Sequence, residues 1–198
     1  MKIIRNKIAV TFVLVLALVM GMSTSVFAGT EGETEASVLF TQDPTYNKLE
    51  LVTAPGFDFG SRTLPEGSET ISSEAIDGVL KISDTRGKYD GWQVSAKLSN
   101  FSTDTVSDSM PGAYINLLNG KAEKDGAGAT KGPSVVNNIT LVSGAEDVTP
   151  IADAEANAGI GAWNIKWEKE NAALTVLDPP SYGANKATIK WTLLSAPN

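Results

Sequence analysis

The sequence predicts an all-β fold, an antiparallel β-sandwich with long loops and at most one short helix. Three observations predict it. All four tryptophans lie on segments whose apolar and polar residues alternate strictly. About nine or ten short apolar runs are separated by glycine, proline and aspartate turn signals. One stretch alone has helical composition, and it is bracketed closely by Pro150 and Gly159.

The stretch 91–101 is the clearest strand. Trp92, Val94, Ala96 and Leu98 fall on one face, and Gln93, Ser95, Lys97 and Ser99 on the other. Residues 188–193 repeat the device with Ile189, Trp191 and Leu193, and residues 163–168 repeat it with Trp163, Ile165 and Trp167. These three strands are expected to assemble the core.

In chain order, residues 1–28 read as a secretory signal peptide. Lys2, Arg5 and Lys7 precede an apolar run too short for a comfortable span, and Val26-Phe27-Ala28 offers a small-residue cleavage site at Ala28. Residues 29–36 are polar and acidic, a flexible lead-in. A domain is expected over 37–198. Residues 37–40 and 49–53 are strand candidates around the turn-like 43–47. Residues 57–60 alternate briefly, and 62–73 read as loop. A strand at 79–83 is closed by Asp84-Thr85-Arg86-Gly87, and Asp90-Gly91 leads into the Trp92 strand. Beyond it come loop at 102–112, strand at 114–118, a long Gly/Ala/Lys connection at 119–133 and strand at 135–142. Residues 147–159 supply the one short helix, on the strength of Ala152, Ala154, Ala156 and Ala158. Strands at 163–168, 173–176 and 186–194 complete the chain.

Composition narrows the function. The formal net charge is −7, and loss of the leader's three basic residues takes it to −10. That balance disfavours nucleic acid and anionic membrane as partners, which need clustered Lys or Arg. No later segment suggests membrane insertion of the mature chain. At about 170 residues, a domain buries roughly 70% of its unfolded surface and needs no disulfide. Cysteine and histidine are both absent. Nucleophile–histidine pairs and zinc sites built on imidazole or thiolate are therefore excluded, and no catalytic residue, metal or cofactor is expected. Asp84 with Asp90 is a conceivable carboxylate pair of the kind a glycosidase needs, although solvated loop acids are far commoner. The glycine-rich 126–132 lacks the Gly-Lys-Ser/Thr order of a phosphate loop and reads as flexible loop.

The tryptophans admit two roles. In line and exposed they would stack on sugars; amid Val, Ile, Leu and Ala they fill a core. The alternation favours the core, with Trp163 and Trp167 the most exposed of the four.

Taken in order, Phe57-Asp58-Phe59-Gly60, Ile82-Ser83-Asp84-Thr85-Arg86-Gly87, Gly91-Trp92-Gln93-Val94, Gly161-Ala162-Trp163 and the distal stretch 187–197 resemble the WxL domain of Gram-positive cell-surface proteins. The resemblance runs from about residue 37 to the end, as in a small, stand-alone member. It implies a secreted, non-catalytic protein held non-covalently on the cell wall, with peptidoglycan as ligand. It also implies association with other WxL proteins and with a membrane-anchored interacting protein. Its motif residues here are Trp92, Val94, Trp191 and Leu193, with Trp163 and Trp167 beside them. Three positions depart from the family pattern: Val94 replaces leucine, Lys190 stands at a usual threonine, and Asn185 at an expected tyrosine. Elimination agrees with attachment by binding, since Leu64-Pro65-Glu66-Gly67 is no sortase signal and no lipobox cysteine exists. A subunit held to another protein through an edge strand and a host-matrix adhesin stay open as alternatives.

Overall fold

A computed structural model describes residues 37–41, 43, 47–88 and 90–196. The expected leader with its cleavage at Ala28, and the lead-in at 29–36, lie outside these residues. Among the described residues fourteen strands follow one another: β1 (Leu49–Thr53), β2 (Gly56–Asp58), β3 (Glu69–Ser72), β4 (Ala75–Asp77), β5 (Leu80–Asp84), β6 (Trp92–Leu98), β7 (Tyr114–Leu118), β8 (Lys121–Asp125), β9 (Ser134–Val135), β10 (Asn138–Val142), β11 (Thr149–Ala154), β12 (Gly161–Lys166), β13 (Ala172–Val176) and β14 (Ile189–Ser195). They build three four-stranded sheets, ordered β1-β5-β12-β8, β10-β7-β13-β3 and β14-β6-β11-β9, plus the two-stranded ribbon β2-β4. Every ladder is antiparallel. The all-β, packed-sheet expectation holds.

Alternation explains the packing. On β6 the residues Trp92, Val94, Ala96 and Leu98 are all buried, while Gln93 is exposed. Leu80 and Ile82 of β5, Ile115 and Leu117 of β7, Ile139 and Leu141 of β10 and Ile165 of β12 join them in one apolar cluster. Each such side chain contributes about 1.5–3 kcal/mol by leaving water.

Five expectations fail, for identifiable reasons. Residues 37–41 form no strand; three consecutive apolar residues there offer no inside and outside. The expected helix at 147–159 is instead β11, because alanines spaced by two share one face of a strand, and Ala152 and Ala154 are buried on it. Pro150 is accommodated where the β11–β6 register shifts. The single helical piece described is a 3₁₀ turn at Lys169–Asn171. The run 135–142 splits between β9 and β10, which belong to different sheets. The spans read as loop at 62–73 and 119–133 contain β3 and β8, and β4 follows unforeseen.

Strand β8 is held by partners on other strands. Lys166 of β12 meets Glu123 at 2.6 Å, and Lys81 of β5 meets Asp125 at 2.6 Å. The hydrogen bond from Lys166, and then its charge, hold the Glu123 carboxyl below its ordinary value of 4.5. The pair's contribution is therefore complete above 4.5 and fades as pH falls through the depressed value. Being exposed, it is a small effect. In Lys166→Ala, an NMR titration of the Glu123 carboxyl carbon is expected to return toward the ordinary value; an unmoved titration would mean that the pair does not form in solution.

Candidate binding site

Strands β6 and β14 are neighbours, so the two Trp-x-aliphatic triplets meet. Leu193 lies directly opposite Val94, Trp191 opposite Ala96 and Ser195 opposite Trp92. The valine at position 94 keeps the apolar face, at 1% exposure. Lys190 projects to the wet face, as its place in the alternation requires.

The tryptophans are mostly interior. Trp92 is fully buried, and its indole N–H donates to the Gly159 carbonyl at 3.1 Å. Trp163 and Trp167, expected to be the most exposed, are also buried. The glycine-rich loop explains the first, since Gly132 packs on the Trp163 ring and the Lys124 ammonium sits 5.4 Å from its centre. The Trp163 indole N–H donates to the Ile160 carbonyl at 3.1 Å. Gly120 and Val135 crowd together beside Trp167, whose ring centre lies 6.3 Å from that of Trp191. The half-buried tryptophan is Trp191, and Leu193 is half-buried beside it. Of the six motif residues, these two alone retain surface for a contact.

The turn after β5 forms a clamp. Asp84 is 1% exposed, and its two oxygens accept from Arg86 Nε at 2.9 Å and Nη2 at 2.8 Å. Arg86 also donates to the Gly91 carbonyl at 2.9 Å and to Ser195 Oγ at 2.5 Å. The guanidinium pKa is raised, chiefly by its hydrogen bond to Asp84. Gly91 fits here for two reasons: φ is +79°, and a Cβ would stand 2.2 Å from the Ala154 carbonyl oxygen. Asp84 is thus a strand-end fastener and cannot serve as one of two free acids with Asp90. Among the described residues, no three acidic side chains gather where a metal ion would sit.

One recess was not foreseen from sequence. A groove of about 1220 Å³ opens where β3 and β14, the outer strands of the second and third sheets, contribute Ile71 and Ile189. Leu98, Ile115, Leu174 and Val176 line it from the sheets, and Phe57 and Phe59 from the ribbon side. Its polar lining includes Arg62, Tyr182, Asn185 and Lys186. Arg62 pairs with Glu74 at 3.1 Å, and the Tyr182 side chain is 89% exposed. The Asn185 amide donates to the Ser181 and Gly183 carbonyls, each at 3.0 Å, while its Oδ1 is buried without a partner. An apolar recess with a few convergent polar groups is the usual form of a ligand site. The sequence signals nearest to it were the Phe-x-Phe-Gly motif at 57–60 and the departure at Asn185.

Together the antiparallel sheets, the paired triplets and the recess make an all-β domain with an apolar surface groove. Its family model, described as WxL domain surface cell wall-binding, matches residues 30–197, and the chain belongs to that family. It is accordingly a surface protein of the cell wall-binding class. No curated protein and no solved structure matches the chain. No helix among the described residues is long and apolar enough to cross a membrane.

Proposed function

We propose that the protein is a non-catalytic module that binds peptidoglycan along the groove, by apolar contact and hydrogen bonds rather than by bulk charge. The apolar groove with the exposed Tyr182 ring on its lining carries this reading. The N-acetyl groups of wall glycan fit such a place, with a methyl for the apolar wall and an amide for its polar groups. The exposed Tyr182 ring at the groove offers a stacking face for a sugar. Walls bearing teichoic acid are polyanionic, and a chain of net charge −7 is repelled from them on average. Attachment must then be local. The proposal extends to a surface complex with other WxL proteins and a membrane-anchored partner, which rests on the motif resemblance alone.

Co-sedimentation with purified peptidoglycan across a salt series is the test. The protein is expected to stay bound as salt rises, and Tyr182→Ala to weaken binding up to tenfold. Complete release at moderate salt would refute the reading.

A further inference from the structure

The signature strand β14 is itself an open edge. It ends its sheet, and no strand among the described residues pairs with its outer side. The phase of the ladder fixes which backbone groups face outward. Ser99 N–H donates to the Thr188 carbonyl at 2.9 Å, and Ala196 N–H to the Gly91 carbonyl at 3.3 Å, at the two ends of the β14–β6 ladder. Directly opposed pairs alternate between hydrogen-bonded and non-bonded in an antiparallel ladder. Lys190, Thr192 and Leu194 therefore bond to β6, while Ile189, Trp191 and Leu193 aim their N–H and C=O groups outward. The side chains of those same three residues are half-buried on the inner face. A further strand would complete both their hydrogen bonding and their burial.

Charge selects the strand. On the wet face Lys190 stands directly opposite Lys97 across the ladder, an unfavourable like-charge pair. Lys97 has a local partner, donating to the Glu146 carbonyl at 2.8 Å with the Glu146 carboxylate 3.8 Å away. Lys190 is the outer cation of the two. A second copy's β14 would bring one more lysine and no carboxylate to this face, so self-pairing leaves Lys190 without a counter-charge. A strand with a carboxylate beside Lys190 neutralises it.

We infer that β14 receives an extended segment of another polypeptide, one whose apolar residues alternate with acidic ones, as an added strand of the β14-β6-β11-β9 sheet. This goes beyond wall binding and stands whether or not peptidoglycan is the ligand of the groove.

The test uses labelled, end-blocked peptides in which valine alternates with glutamate or with lysine, read by fluorescence anisotropy at low salt. The glutamate peptide is expected to bind at least tenfold tighter than the lysine peptide. N-methylation of its alternate amides should abolish binding, because a strand edge needs those donors. Lys190 is exposed, so its variants should fold: Lys190→Glu should invert the preference, and Lys190→Thr should erase it. Equal binding of both peptides, no binding by either, or dimerisation of the wild type through this edge would overturn the inference. Co-sedimentation of Lys190→Glu with peptidoglycan, expected to be unchanged, keeps this outcome separate from that of the wall-binding reading.

Discussion

Replacing Arg86 by alanine is expected to cost about 3–5 kcal/mol of folding stability, the range for removing one partner of a buried ion pair. The cost arises at Asp84. That carboxylate is 1% exposed, and both of its oxygens take hydrogen bonds from the guanidinium. Without Arg86 it stays desolvated and loses those donors. The same deletion removes one of the bonds to the Gly91 carbonyl and the bond to Ser195 Oγ, so the end of β5 loses its side-chain tie to the start of β6 and the end of β14. For a chain of this size, the loss corresponds to a fall in melting temperature of roughly 6–20 °C. Arg86→Lys should recover little, because an ammonium cannot make the planar two-point contact. The double variant Asp84→Leu with Arg86→Met should recover most of the stability, since no buried charge is then left alone. Urea unfolding measures all three. A loss below about 1 kcal/mol in Arg86→Ala would show that Asp84 reaches water and that the clamp is ornamental.

How far the sequence discloses this molecule depends on where each strand lies in its sheet. Strand β6 has a neighbour on either side and a buried inner face, so its two-residue period is clear, and β14 and β12 share that period. Strand β8 is an edge with the sequence Lys-Ala-Glu-Lys-Asp, which has one apolar residue to show. Its place is set by its ladder to β12, with Lys166 and Lys81 pairing its acids, and no local pattern reveals either. Strand β11 was misread because alanine's helical propensity was weighed above the two-residue spacing of the alanines, and sheet pairing overrides so weak a preference.

The functional features are less legible still. Arg86 and Ser195, joined in the clamp, are 109 residues apart. The groove draws its lining from Pro55 to Ile189, with residues of β3 and β14, the outer strands of two sheets among the described residues. What alternation does report is direction. It sent Lys190 outward and Trp92 inward correctly, but it gave no hint that Gly132 would pack on the Trp163 ring.

Trp92→Ala is expected to be as damaging as loss of the clamp, about 3–5 kcal/mol, through a cavity at the most enclosed point of the core. Trp92 has no exposure at all and lies on the strand between β14 and β11. Ala154 stands directly opposite it, and Gly159 comes so close that a Cβ there would sit 2.6 Å from the indole nitrogen. Small residues have been fitted around a large one, so the backbone cannot readily collapse into the space left behind. Trp92→Phe separates volume from hydrogen bonding. It keeps an aromatic ring but strands the Gly159 carbonyl, for an expected loss of about 1–3 kcal/mol. Trp191→Ala should cost less than Trp92→Ala, because Trp191 is only half-buried on an outer strand. Denaturant unfolding of the three variants ranks them. If Trp191→Ala proves the costlier of the two alanine variants, the weight of the core lies at the edge of the sheet, and β14 is no open edge in solution.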